Sequence, residues 1–223
     1  LAAISGSVQM LSRSFGEDSP QGRLLGILLK ESQRLDRTIK GFLEYARPED
    51  RASVEFDVAR LLAENFELLE NSPEVRPEHR LELALDPPSA HLVADPDGVS
   101  QIFWNLARNA LKAMPDGGTL EVSGTLRHGA YEIVFADTGR GMSEEERANL
   151  FHPFQSFFDS GTGLGMAIVY RIVQDLGGDL SVDSRPGRHT RITVRLPLAR
   201  PAALEDTVVE EAPAAGLRRG VEV

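Results

Sequence analysis

Cysteine is absent from the 223 residues, which excludes a disulfide framework and any thiolate metal site and is compatible with a reducing cytoplasm. No long apolar run occurs, so nothing in the sequence spans a membrane, and no signal peptide or targeting motif is visible. A basic excess is missing as well. The formal net charge of −10 argues against a nucleic-acid backbone as the main partner. His79, His91, His128, His152 and His189 are scattered without HExxH or paired spacing, so all are read as structural or surface residues. The chain opens on Leu1 without a methionine and reads as a fragment or a processed product. What is present is a hydrophobic content of 41 %, enough for one or two globular domains with a real core.

Apolar Leu1, Ile4, Val8 and Leu11 alternate at spacings of three and four, the seam of a helix that packs on other helices. Gly16 breaks it; Asp18 or Ser19 is available as an N-cap, and Pro20 suits the first turn of a second helix over about 20 to 47. In that helix Leu25, Leu28, Ser32, Leu35, Ile39 and Phe42 keep a heptad seam interrupted only by Ser32. A helical hairpin with one apolar seam is poorly stable alone, which predicts pairing with a second copy as a four-helix bundle, or packing on the following domain. Residues 48 to 53 read as a linker. Beyond it the pattern predicts a strand over 54 to 57, a helix over 58 to 71, strands near 80 to 85 and 90 to 94, and a helix over 96 to 114. A β-hairpin over 119 to 126 and 130 to 136, a helix over 163 to 176, and strands over 179 to 184 and 190 to 197 follow. Antiparallel strands with helices on one side make an α+β sandwich. Residues 199 to 223 lack periodicity and read as a flexible tail.

Three stretches carry chemistry. Along NLARNALKAM, Asn105, Asn109 and Lys112 share one narrow helical sector, while Val99, Ile102, Leu106, Ala110 and Ala113 form a separate apolar stripe. Taken alone, those polar groups read as a solvated helix face. Downstream, DTGRGM holds Asp137 beside Gly139 and Gly141, and GTGLGM brings Gly161, Gly163 and Gly165 to the start of an apolar helix. A buried carboxylate accepts from an exocyclic amine and repels a carbonyl, so Asp137 can select adenine over guanine; a turn-capping Asp before Gly fits the same residues. An amide oxygen such as that of Asn109 is a reasonable single protein ligand for Mg²⁺, with triphosphate oxygens and water completing the octahedron. Lys112 can neutralise phosphate, and the glycines free backbone N–H groups for phosphates at a helix N-terminus. This glycine cluster is neither a Walker A, lacking GK[ST], nor a GxGxxG dinucleotide turn. Phe151, Phe154, Phe157 and Phe158 are either core rings or a mobile lid.

In their order and spacing these motifs resemble the ATP-binding domain of sensor histidine kinases, within the superfamily that includes gyrase, Hsp90-type chaperones and mismatch-repair ATPases. Asn105 to Ala113 is similar to the N box, Asp137 to Gly141 to the first glycine box, Phe151 to Phe154 to the F box, and Gly161 to Gly165 to the second glycine box. The phrases LAAISGSVQML and RLDRTIKGFLEYARP resemble the two helices of the family's dimerisation hairpin. The resemblance implies a Bergerat-type α/β sandwich over 54 to 198 after a hairpin over 1 to 47. It implies an ATP site of Asn105, Asn109, Lys112, Asp137, Gly139, Gly141, Gly161, Thr162, Gly163, Leu164 and Gly165, with Asn109 on Mg²⁺, Lys112 on phosphate and Asp137 on the adenine amine. A homodimer through the hairpin, a response-regulator receiver domain as partner, and a cytoplasmic location with the parent protein open to inner-membrane anchoring upstream are implied too.

Two departures qualify the resemblance. In that family LAAI follows a His-Glu-Ile-Arg-Asn-Pro type run, which places the phosphoacceptor histidine upstream of Leu1, and none of the five histidines lies on the hairpin. Nitrogen-regulation-type kinases, the nearest subgroup by motif, carry Pro-Phe-Phe-Thr-Thr-Lys before the second glycine box, whereas here Phe158 stands in place of the lysine. Hydrolytic members of the superfamily carry a glutamate four residues before the metal-binding asparagine; Asn105 stands there and cannot take a proton from water, which favours transfer over hydrolysis. The expected function is phosphotransfer from MgATP to a histidine and onward to a response-regulator aspartate. The alternative is a degenerate, non-catalytic nucleotide-binding and dimerisation module.

Overall fold

The computed structural model describes residues 6–8, 10, 11, 15, 19–46, 53–158 and 161–198. Most of the expected first hairpin helix, most of the linker and the tail from 199 lie outside the described residues, although 6–8, 10 and 11 are helical. Helix α1 runs Pro20–Ala46, with Pro20 opening it and the Ser19 hydroxyl accepting from Gly22 N–H at 2.9 Å, so of the two expected caps Ser19 is seen in place. Much of its seam stays exposed within this chain, with Leu28 56 %, Leu35 53 % and Phe42 48 % exposed, while Leu25 is half-buried and Ser32 buried.

After α1 the chain continues with β1 (Val54–Asp57) and α2 (Val58–Glu70), then β2 (His79–Asp86), β3 (His91–Ala94), α3 (Pro96–Ala113), β4 (Gly118–Arg127) and β5 (Ala130–Asp137), and ends with α4 (Glu144–Ala148), α5 (Gly165–Asp175), β6 (Asp179–Arg185) and β7 (His189–Pro197). The main sheet has the order β2-β4-β5-β7-β6, and β1 pairs with β3 in a separate two-stranded sheet. Only the β2–β4 pairing of the main sheet is parallel, so the sheet is mixed. One face carries α2, α3 and α5, whose apolar stripes meet the inward strand residues in a single core. Among the described residues, the elements expected from residue 20 onward are present within a residue or two; α4 was not expected. Its signal was readable: Ser143 and Glu146 form a reciprocal capping box, the S-x-x-E pattern.

Two local features position the site. Strand alternation turns Tyr131, Ile133, Phe135 and Asp137 of β5 to the same, helix-covered face, so a carboxylate occupies the last core position of the central strand. Helix α3 starts at Pro96 after the Asp95 cap and buries Val99, Ile102, Leu106 and Ala110, which leaves Asn105 and Asn109 half-buried and Lys112 exposed on another face.

Asp57 ties β1, α2 and β3 together. Its carboxylate accepts from Ala59 N–H (3.0 Å), Arg60 N–H (3.2 Å), Ala90 N–H (3.1 Å) and the Ser89 hydroxyl (2.8 Å). Burial pushes its pKa up, but the bonds from Ser89, Ala90, Arg60 and Ala59 outweigh it and the net shift is downward from 3.8. Asp57→Ala is therefore expected to cost about 1–2 kcal/mol in urea unfolding at neutral pH. Because the folded pKa is lowered, that stabilisation is present above the unfolded pKa and lost as pH falls through the folded one, so the gap to wild type should close on acidification.

Candidate functional site

A cavity of about 250 Å³ opens between the C-terminal half of α3, the end of β5 and the start of α5. Asn105, Asn109 and Lys112 form one wall, Asp137 and Gly141 another, and Gly161, Thr162, Gly163 and Gly165 a third. The sequence residues from three separated stretches thus converge. Two do not reach the wall. Leu164 is fully buried and faces α1, where a Cβ added at Gly41 would lie 3.1 Å from its Cδ1. Gly139 lies behind the surface, with its N–H donating to Asp137 Oδ1 at 2.9 Å and room for no Cβ against the Ala113 carbonyl.

Asp137 is 7 % exposed. Burial drives its pKa from 3.8 up to about 6, against the opposing pull of the Gly139 N–H, the charge of His189 and the Thr190 N–H. A carboxylate held there has lone pairs to spare for a donor entering from the cavity. Opposite it, α5 follows its N-cap residue Leu164 without any side-chain cap, and its first residues Gly165 and Met166 form part of the wall. The positive end of the helix dipole and N–H groups of its first turn therefore sit at the cavity edge. Asn105 also braces this end: a Cβ added at Gly165 would lie 3.0 Å from its Oδ1.

The segment from Met142 to Phe158 covers one side. Its rings take different places. Phe151 lies 5.4 Å from the Tyr170 ring and, with Phe157, packs against the core; Phe154 is 59 % exposed; Phe157 and Phe158 line the cavity. Sequence reasoning missed Arg108, Arg140 and Thr190, all on the wall. Arg140 was legible, standing between two glycines of a box already singled out. Thr190 was not, since only the antiparallel register of β5 with β7 brings it beside Asp137. None of the five histidines lines the cavity; His79, for one, bonds the Met114 carbonyl at 2.9 Å. Among the described residues no group of three or more His, Cys, Asp or Glu converges, so a divalent ion here would take most of its ligands from a bound anion and water.

Comparison with known proteins places this geometry. Residues 94–200 match the family described as histidine kinase-, DNA gyrase B-, and HSP90-like ATPase, and residues 1–51 match the His Kinase A (phospho-acceptor) domain. The sensor histidine kinase ZraS of Escherichia coli O157:H7 is 30 % identical over 196 residues, covering 86 % of this chain and 43 % of that protein. Sporulation kinase E of Bacillus subtilis (strain 168) is 28 % identical over 91 % of this chain and 27 % of its own length. The chain thus spans less than half the length of these relatives. Among solved structures, full-length ShkA in complex with AMPPNP superposes with a TM-score of 0.70 at 26 % identity, over 91 % of this chain and 44 % of that one. With a His Kinase A region leading into an ATPase domain of this type, and sensor kinases matching across both, the chain belongs to the two-component sensor histidine kinases.

Proposed function

We propose that the domain over 54 to 198 binds MgATP in the cavity and presents the γ-phosphate to a histidine just upstream of Leu1 on the helical hairpin, for relay to an aspartate of a response regulator. The observation that carries the reading is the convergence on one cavity of amides, a lysine, a buried carboxylate and an uncapped helix start. AMPPNP, held by ShkA, is an ATP analogue. Asp137 takes the adenine amine; Gly141 shapes the wall beside the ring, and Gly139 supports Asp137 from behind it. Asn109 supplies the protein ligand to Mg²⁺, Lys112 meets phosphate, and Asn105 supports the same face. Thr162, Gly163 and Gly165 offer backbone N–H groups to the phosphates, while the Gly161 N–H is given to the Phe158 carbonyl (3.1 Å) and that of Leu164 to the Thr162 hydroxyl (3.4 Å), so these two shape the turn from behind. Mg²⁺ would neutralise the developing charge on the transferring phosphoryl group; the protein's part is to hold the triphosphate in line with the incoming imidazole. The exposed seam of α1 pairs with a second copy, making the working unit a homodimer.

Calorimetric titration with MgATP and MgGTP tests the site. Wild type should bind ATP saturably and prefer it to GTP, and Asn109→Ala should weaken MgATP by about tenfold or more while changing adenosine affinity little, because only the metal-bound triphosphate uses the amide. Folded wild-type protein that binds no ATP would sink the proposal and leave the degenerate dimerisation module. Adding a histidine-bearing segment ahead of Leu1 and finding ATP binding without incorporation of labelled phosphate would favour that module too.

A further inference from the structure

Arg140 has its main chain and its side chain in different parts of the domain. The main chain is fixed outside the cavity cover: its N–H donates to the Ala113 carbonyl at the end of α3 (3.0 Å), and its carbonyl accepts from Gly187 N–H in the β6–β7 turn (2.6 Å). The side chain reaches into the cover. One guanidinium nitrogen donates to Glu146 Oε1 at 2.8 Å and lies 3.4 Å from the Phe157 carbonyl, while the guanidinium carbon stands 5.2 Å from the Phe158 ring centroid. Glu146 belongs to α4 near the start of the cover, and Phe158 lies near its far end at the cavity. A single planar cation therefore joins both ends of the segment to the rigid wall. Glu146 is itself held, accepting Ser143 N–H at 2.8 Å while its own N–H donates to the Ser143 hydroxyl at 3.1 Å.

We infer that Arg140 is the clamp of the lid: a positioning residue that holds α4 and Phe158 closed over bound nucleotide, acting through those two groups and not through a phosphate contact. The inference rests on the nucleotide reading above and assigns the lid's closure within it. It also gives Phe158 a use at the position where resemblance expects a lysine: a ring can be gripped by a guanidinium face, which an ammonium cannot do to another cation. An ion pair near the surface and a stacked cation together correspond to roughly a tenfold bias toward the closed lid.

The experiment uses the whole chain with Arg140→Ala, Arg140→Lys and Glu146→Gln. The last keeps the capping box, since the glutamine oxygen can accept Ser143 N–H, and turns an amide N–H₂ toward Arg140, which removes the ion pair together with its hydrogen bond. Hydrogen exchange of ligand-free protein should show residues 142 to 158 exchanging about tenfold faster in Arg140→Ala, with β4 and β5 unchanged. Affinities for ATP and for adenosine should fall together by a common factor. Arg140→Lys should recover only part of each, as it can keep the Glu146 pair but not the planar stack, and Glu146→Gln should fall between wild type and Arg140→Ala. Unchanged lid exchange in Arg140→Ala overturns the clamp. So does a loss of ATP affinity that spares adenosine, which would make Arg140 a phosphate contact. Wild type that binds neither ligand, with lid exchange still governed by Arg140, removes the nucleotide reading and leaves the clamp standing.

Discussion

Asp137→Asn is expected to stabilise the ligand-free protein at pH 8 by up to about 3 kcal/mol, the linkage value of a shift of roughly two pKa units, and in the same variant to weaken ATP binding about 10- to 100-fold. The two effects have one cause. β5 alternation forces residue 137 into a core position, and the polar groups that meet it there, the Gly139 N–H and the Thr190 N–H, do not repay the hydration lost by an ionised carboxylate. The sign follows from the raised pKa. Protonated Asp137 is the form the fold prefers, so its contribution is fully present below 3.8 and is lost as pH rises through about 6. Wild type and Asp137→Asn should therefore be most alike below pH 3.8 and diverge until about pH 7, after which the gap is constant. An uncharged amide of the same shape escapes the penalty, less whatever its own N–H₂ group costs if left unpaired. Denaturant midpoints at pH 4.5 and pH 8 measure the divergence, and calorimetry with MgATP measures the binding loss. Equal stability of the two proteins at both pH values would mean that residue 137 is solvated in the ligand-free state. Undiminished ATP affinity would place the adenine elsewhere.

What the sequence could show follows from how local each cause is. The stripe Val99, Ile102, Leu106 and Ala110 against Asn105, Asn109 and Lys112 is a matter of 100° per residue, and it was visible without coordinates. The strands of the main sheet were legible for the same reason, each having its own alternation and turn residues. The second glycine box was legible as a helix start, but not the division of labour within it: that Leu164 turns to α1 while its glycine neighbours line the cavity depends on where α1 lies. Thr190 reaches Asp137 through strand register, and Arg108 joins the wall while pairing with Glu74 at 3.0 Å and lying 5.1 Å from the Trp104 ring centroid. Such contacts between distant segments leave no periodic trace. Phe158 illustrates the middle case. Its departure from the lysine of the nitrogen-regulation pattern was plain in the sequence; its partner, Arg140, needed the fold.

Gly141→Ala should be the most damaging single methyl in the site. Gly141 sits at φ +63°, where an L side chain costs about 1–2 kcal/mol, and its added Cβ would overlap the Arg185 carbonyl and lie 3.1 Å from Pro186 Cα. Those neighbours are backbone, so no rotamer change relieves the clash, and overpacking of this kind costs a further ~1–3 kcal/mol. Moving either side breaks bonds that hold the loop: Gly187 N–H to the Arg140 carbonyl (2.6 Å), Met142 N–H to the Ser184 hydroxyl (2.9 Å), and Arg140 N–H to the Ala113 carbonyl (3.0 Å). A loss of about 4 kcal/mol follows, a large share of the 5–15 kcal/mol typical of a folded domain. Gly187→Ala is the control that separates the two causes. Gly187 lies at φ +70° in the adjoining turn but has nothing within 4 Å of an added Cβ, so only the backbone conformation is penalised and about 1 kcal/mol should be lost. Urea unfolding of the two variants reads the difference directly. If they cost the same, the DTGRGM loop yields to the extra methyl, and the close seat of the first glycine box on the β6–β7 turn is not what fixes the cavity wall beneath Asp137.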